Sequence, residues 1–290
     1  MLSAMKANLP WWAKIGAKIV LARVPVAYEF WQRLGLFRHG FMDTAAYALN
    51  VFDAHVKRAG LDKADLKGMT ILEMGPGDSV ATAVIACAHG ANAILVDSGA
   101  WAKNAPEAYL ALCRLLESRG LSVPDLSQCG TLEDLLRVCN ARYLTEGLTA
   151  WRSIDESTVD FVFSQAVLEH VRKSDFLATQ VACYRALKQG GVASHRVDLR
   201  DHLGGALNNL RFSEKMWESP FFANSGFYTN RLQMSDILCL SEQAGYRVTL
   251  LGVNRWRSLP TPKEKMHSQF SSLADSALNV SGFDVVLRKV

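Results

Sequence analysis

The sequence predicts an α/β fold: a doubly wound, Rossmann-like sheet with helices on both faces, preceded by a helical extension and interrupted by cap insertions. Two observations carry this. The apolar run Thr70–Met74 leads straight into the turn Gly75-Pro76-Gly77, then a small-residue helix, then a second apolar run that closes on Asp97. Beyond Asp97, apolar runs of strand length keep alternating with stretches of helical period. Strand–turn–helix–strand opens a parallel sheet, and continued alternation extends it.

The elements follow in order. Residues 1–65 read as an N-terminal helical extension, and residues 66–290 as the domain proper. The extension holds helices over Pro10 to Ala22, Pro25 to Leu34, and Asp43 to Ala59, the last with Asp43 as N-cap and Gly60 as stop. In the domain, a helix from Val80 to His89 ends at Gly90, and Ala93–Val96 is the second strand. A long insertion over about 100–140 carries helices at Ala105–Arg119 and Thr131–Cys139; a connection of that length is usually functional. Strands follow at Tyr143–Thr145, Val159–Ser164 and Val192–Val197, with a helix at Ser174–Leu187 stopped by Gly190-Gly191. Residues 199–230 form an irregular, aromatic-rich insertion. A helix at Met234–Ala244 and strands at Tyr246–Val253 and Phe283–Arg288 complete the chain.

Composition narrows the class. The chain has 290 residues, 49% of them hydrophobic, enough for one large core. A net charge of +4 without any dense Lys/Arg run argues against a nucleic-acid partner. No apolar run reaches the ~18–20 residues of a membrane span. The six cysteines form no C-x-x-C pair and read as buried, reduced thiols of a cytoplasmic protein.

Ligands of such sheets bind at the carboxyl ends of the strands, here the loops beginning at Gly75, Asp97 and Ser164. Glycines let a ligand approach the backbone. A dinucleotide fingerprint would continue to a third glycine, but Val80 stands there, and Asp78 puts a negative charge where a pyrophosphate wants a bare helix terminus. Both departures disfavour NAD and suit a cationic ligand, with Glu73 as a further carboxylate nearby. Asp97, ending the second strand, is placed to accept hydrogen bonds from ribose hydroxyls; a helix-capping role is its plainer reading.

The segment Asp160-Phe-Val-Phe-Ser164-Gln165-Ala166-Val167-Leu168-Glu169-His170-Val171 resembles the "D-x-V-x-S-x-x-V-L-E-H-V" stretch after the fourth strand of class I S-adenosylmethionine-dependent methyltransferases. Leu187-Lys188-Gln189-Gly190-Gly191 resembles their "L-K-P-G-G" turn, with Gln189 in place of Pro. With Glu73–Ser79 and Asp97, four motifs stand in the family order across residues 70 to 200, and the two last strands resemble the antiparallel pair ending that seven-stranded fold. The resemblance implies S-adenosyl-L-methionine as cofactor. Glu73, Gly75, Gly77, Asp78 and Ser79 would face its methionine part and sulfonium. Asp97 and Ser98 would hold the ribose, Glu146 and Gly147 would lie near adenine, and Ser164, Gln165 and Ala166 would line the methyl group. Glu169-His170 would cap the next helix or face the acceptor.

On the acceptor side, His195, Arg196, Asp198, Asp201 and His202 run off the fifth strand. They suit a hydrogen-bonded pocket or surface ion pairs better than a metal site, and no metal is expected. His170, His195 and His202 are the candidate catalytic bases, and Asp198, Tyr228 and Arg231 the candidate acceptor contacts; for Arg231 an anion clamp and a structural salt bridge weigh equally. The expected activity is methyl transfer to a small-molecule or glycoconjugate acceptor, with an oxygen as the methylated atom. An NAD-dependent oxidoreductase and a non-catalytic cofactor-binding protein are the alternatives. Trp11, Trp12, Ile15 and Ile19 share one helical stripe bordered by Lys14 and Lys18. It either packs over the pocket as a lid or docks peripherally on the inner face of the membrane.

Overall fold

The computed structural model describes residues 10–21 and 42–290. The helix expected over Pro25–Leu34 lies outside these residues. Seven strands form one sheet in the order β3-β2-β1-β4-β5-β7-β6. Strands β1 (Thr70–Met74), β2 (Asn92–Val96), β3 (Ala141–Leu144), β4 (Val159–Gln165) and β5 (Leu187–Asp198) run parallel. Strand β7 (Val280–Lys289) is inserted antiparallel between β5 and β6 (Tyr246–Arg255). This is the seven-stranded sheet expected from the sequence.

Alternation along the strands divides the core into two layers. Ile71, Leu95, Phe161 and Phe163 meet α2 (Ala45–Ala59), α3 (Ala81–Ala88), α4 (Pro106–Glu117) and α5 (Leu132–Val138) on one face. Leu72, Ile94, Val162 and Val197 meet Trp151, α6 (Phe176–Ala186) and α7 (Met234–Gln243) on the other. Helix α2, drawn from the extension, thus shares the core of the domain. Gly60 closes it at φ 73°, donating back to Lys57 O, a conformation that disfavours side chains other than glycine.

Several boundaries differ from the sequence expectation. Thr44, not Asp43, sits at the N-cap of α2, with no side-chain cap, because Asp43 is drawn to Lys103 at 3.3 Å. Helix α6 ends at Ala186; Gly190 and Gly191 lie inside β5, where the register against β4 slips from Val159↔Leu187 to Phe161↔Val192. The thiols are all unpaired, but Cys239 is exposed and Cys87 and Cys129 are half-buried, because α7 and the α3–α5 layer leave their outer turns to solvent.

Two smaller cores stand beside the sheet. In the 199–230 insertion, Leu203, Trp217, Phe227 and Tyr228 cluster, and α1 (Trp11–Leu21) lays Ile15 into them, with Trp11 and Ile19 alongside. Residues 256–279, for which the sequence offered no element, bury Met266, Phe270 and Leu278 against Leu207 and Leu210. No helix among the described residues is long and apolar enough to cross a membrane.

Candidate functional site

The loops after β1, β2, β3 and β4 meet at one rim of the sheet. Gly75 and Gly77 adopt φ values of 68° and 63°. A Cβ on Gly75 would lie 2.6 Å from Val167 Cγ2, so the turn after β1 presses on the loop after β4. Gly77 N donates to Asp97 Oδ2 at 3.0 Å, and Ser98 N donates to Asp97 Oδ1 at 2.7 Å. Gly147 N donates to Asp97 O at 2.8 Å, which brings Glu146 and Gly147 beside Asp97 and the exposed Ser98. Glu146 is exposed, and its Oε2 accepts from Thr145 N at 3.1 Å. Ala166 is held at φ 56° while its N–H donates to Arg196 O at 2.8 Å. A left-handed alanine costs on the order of 1 kcal/mol, strain of the kind that clusters at functional loops.

Glu73 is buried behind this rim, beside the Thr82 hydroxyl. Burial, with the Asp97 charge adding, pushes its carboxyl up to about 8. Ser98 Oγ lies a further 3.4 Å from Asp97 Oδ1, so this carboxylate gathers donors from both loops. A buried carboxyl, a carboxylate at the junction of the loops and two glycines without side chains leave this rim suited to a ligand rich in donors and positive charge.

Two of the expected contacts are otherwise engaged. Asp78 is buried and ion-paired with Lys103 Nζ at 3.1 Å, so its charge is balanced inside the protein instead of facing a ligand sulfonium. Ser79 is buried, and its Oγ accepts from Ala81 N at 3.2 Å within the turn that leads into α3.

The three candidate histidines separate. His195 lies in the middle of β5, fully buried, with Nδ1 and Ser164 Oγ 2.7 Å apart. Burial pulls its imidazole down to about 4, so it is a neutral core residue without access to an acceptor, and Ser164 is committed to it. His170 and His202 are both exposed on the cap side, their ring centroids 4.7 Å apart. His170 Nδ1–H donates to Tyr228 O at 3.0 Å. In the neutral ring that bond leaves Nε2 as the lone-pair nitrogen.

His55, which the sequence did not single out, belongs to the same region. Its Nε2–H donates to Gln165 Oε1 at 3.1 Å, and Ser194 Oγ–H donates to Nδ1 at 2.9 Å. Burial, aided by Arg58, lowers its imidazole to about 3 and keeps that tautomer neutral. The Gln165 side chain is thereby fixed by α2. No sequence signal distinguished His55 from its helical neighbours; only its position opposite β4 and β5 does.

The acceptor-side residues are mostly structural. Arg231 does not act as an anion clamp: its NH2 is 2.6 Å from Glu214 Oε2, its NH1 donates to Phe212 O at 2.7 Å, and its guanidinium lies over the Trp217 and Phe270 rings. Tyr228 is buried and donates to Glu218 Oε2 at 2.9 Å, which removes it from substrate contact. Asp198 is paired with Arg200 at 2.6 Å, and Asp201 is turned inward onto the N–H groups of Leu203, Ala206 and Asn208. The polar group that does face inward space is Glu169, which the sequence left between helix cap and acceptor contact. It is buried, and burial pushes its carboxyl up to about 8, against the backbone N–H groups of Glu169 and Asp198 that favour its charged form.

No family model and no curated protein matches the chain. Solved structures do. Phosphoethanolamine N-methyltransferase 2 of Haemonchus contortus, in complex with S-adenosyl-L-methionine, is 15% identical with a TM-score of 0.48, over 92% of this chain and 60% of that one. The same enzyme with phosphomonomethylethanolamine and S-adenosylhomocysteine gives 16% and 0.44, over 83% of this chain and 52% of that one, so this chain spans about half its length. A SAM-dependent methyltransferase of Archaeoglobus fulgidus gives 10% and 0.45, over 83% and 94%. Nothing of their chemistry passes from them to this chain.

Proposed function

We propose that the protein is an enzyme that transfers a methyl group from S-adenosyl-L-methionine to a small-molecule or glycoconjugate acceptor, through an acceptor oxygen. The observation that carries this reading is the junction of the Gly75–Gly77 turn with the Asp97 carboxylate, above the buried Glu73, at the carboxyl rim of a seven-stranded sheet. Motifs that resemble the family are therefore contiguous in space.

The cofactor supplies an electrophilic methyl on a sulfonium. Asp97, with Ser98 beside it, binds the ribose hydroxyls, and Glu146–Gly147 borders the adenine. Gly75 and Gly77 let the backbone approach the methionine part, whose ammonium the Glu73 side favours. Gln165, positioned by His55, and Ala166 line the transfer path. Methyl transfer is chiefly a matter of alignment. A hydroxyl acceptor also needs its proton removed, and His170 Nε2, oriented by the Nδ1–H bond to Tyr228, is the base, with His202 next to it. The cap and α1 limit access of water. Because Ile15, Trp11 and Ile19 are spent on packing, α1 acts as a lid piece and the acceptor is soluble; Trp12, 63% exposed, is what remains for a bilayer.

Calorimetry tests the reading directly. S-adenosylhomocysteine binds and NAD+ does not; the reverse would make the protein an oxidoreductase. Release of S-adenosylhomocysteine with an acceptor panel separates an enzyme from a protein that only holds cofactor. Co-sedimentation with anionic vesicles at low salt is expected to be negative, and binding that drops on Trp12→Ser would restore the membrane.

A further inference from the structure

Four of the six cysteines, Cys87, Cys113, Cys129 and Cys139, come from separate stretches of the chain and pack into the one apolar layer that α3, α4 and α5 form on the sheet. All four are free thiols. Two of them meet. Cys87 stands in the last turn of α3, Cys139 is the C-cap of α5, and the Cys139 thiol is hydrogen-bonded to the Cys87 sulfur.

Backbone on both sides fixes this contact. After Cys87 the chain reverses, with Gly90 N donating to Cys87 O at 2.8 Å and Ala91 N to Ala86 O at 2.9 Å, and enters β2 at Asn92. After Cys139 it turns at Asn140, held at φ 48°, and enters β3 at Ala141. The two strands pair in the register Ala93↔Ala141, and Asn140 Nδ2 donates to Asn92 Oδ1 at 2.6 Å across the same joint. The ends of α3 and α5 are thereby clamped together at the amino rim of the sheet, opposite the rim that carries Gly75 and Asp97.

The two thiols are not equivalent. Cys139 is 1% exposed, whereas Cys87 is half-buried, so a small solute reaches Cys87 first. The hydrogen bond from Cys139 favours the Cys87 thiolate and outweighs the opposing effect of burial, which makes Cys87 the nucleophile of the pair. Cys113, on α4, is the next thiol; burial pushes it up to about 11 and keeps it protonated. The pair does not read as a metal site, because no group of three His, Cys, Asp or Glu side chains among the described residues could hold an ion.

We propose that Cys87 and Cys139 form an oxidisable dithiol, a modification site for hydroperoxides that closes into a disulfide. The Cys87 thiolate attacks a peroxide oxygen, the O–O bond breaks, and Cys87 becomes a sulfenic acid; with hydrogen peroxide the leaving hydroxide takes a proton and departs as water. The Cys139 sulfur then attacks the Cys87 sulfur, and the sulfenic hydroxyl leaves with the Cys139 proton as a second water. Two thiols and one hydrogen peroxide thus give one disulfide and two waters, the sulfurs losing the two electrons that the peroxide gains. The bridge encloses residues 88–138, so it draws a covalent loop around α4 and α5. None of this depends on the cofactor or on methyl transfer.

The full chain is reduced, freed of reductant and titrated with hydrogen peroxide, and its cysteines are mapped by alkylation and peptide mass spectrometry. The expected result is a loss of about 2 Da per chain, a linked Cys87–Cys139 peptide that forms ahead of any change at the exposed Cys239, and full return of both thiols with dithiothreitol. In Cys139→Ser, dimedone should capture a sulfenic acid at Cys87; in Cys87→Ser, Cys139 should stay reduced at the same dose. Oxidation of Cys239 or Cys129 first, a bridge from Cys87 to Cys113, a disulfide between two chains, or dimedone capture at Cys139 in Cys87→Ser would overturn the proposal. If a serine variant does not fold, the linked peptide and the order of reaction in the unaltered chain decide.

Discussion

At the scale of single residues, Asp97 ties the loops together. Replacing it with alanine removes the acceptor for Gly77 N and Ser98 N as well as for a ribose. We expect Asp97→Ala to fold and to bind S-adenosylhomocysteine at least about tenfold more weakly, since charge-assisted bonds are worth roughly 1.5–3 kcal/mol each. Unchanged affinity in calorimetry would remove Asp97 from the site. The histidines provide a contrasting pair. His170→Ala should lower kcat for a hydroxyl acceptor about a hundredfold. His195→Gln should leave kcat nearly unchanged, because His195 is sealed in β5 against Ser164. The glycine turn and Asp97 were legible in the sequence because their meaning is local: a spacing after a strand. His170 and His195 looked alike there, because what separates them is a partner strand and a cap brought from far along the chain. Arg231 was illegible for the same reason, its partners Glu214 and Phe212 being set by the folding of the insertion.

At the scale of elements, the 100–140 insertion is reinforced where its sequence says so. Thr131 Oγ1 accepts from Asp134 N at 3.1 Å, and Asp134 Oδ2 accepts from Thr131 N at 3.1 Å, a reciprocal cap at the start of α5. Thr131→Ala should cost about 1 kcal/mol in urea unfolding, and an unchanged midpoint would show that α5 is held by its packing alone. The cap of residues 199–231 depends instead on one buried cation. Arg231→Ala leaves Glu214 with Lys173 as its one cation and two carbonyls without their donor, and should cost about 3 kcal/mol while loosening amide exchange throughout 203–231. Regular elements with a clear period were readable to within a few residues. Residues 256–279 were not, because four-residue turns such as Ser268–Ser271 carry too little periodicity to register.

At the scale of the whole molecule, four buried titratable groups shape stability against pH. Glu73 and Glu169 are raised to about 8, so folding keeps their protons; their contribution is full below their unfolded value near 4.5 and is lost as pH rises through about 8. His55 and His195 are lowered to about 3 and 4, so theirs is full above about 6.5 and is lost as pH falls through those values. The two slopes oppose one another between 4.5 and 6.5, and only the carboxyl slope remains above. Thermal melting should therefore be highest near pH 5–6.5 and fall toward pH 8, by on the order of 1 kcal/mol for each carboxyl. Glu73→Gln should halve the alkaline decline, the rest belonging to Glu169; a profile still rising from pH 6.5 to 8 would contradict these environments.

The placement of β7 also bears on how the chain is made. Of the seven strands it is synthesised last, yet it occupies an interior position, hydrogen-bonded to β5 on one side and β6 on the other. Until it emerges from the ribosome, β5 ends the sheet with an open edge and β6 has no strand to pair with. The rim that carries the glycine turn, Asp97 and Ala166 is translated before the strand that closes the sheet beside it. A nascent chain halted after Asn279 should bind chaperone and be cut readily by protease, and release of the next ten residues should confer protection in a single step, with β5 and β6 consolidating together.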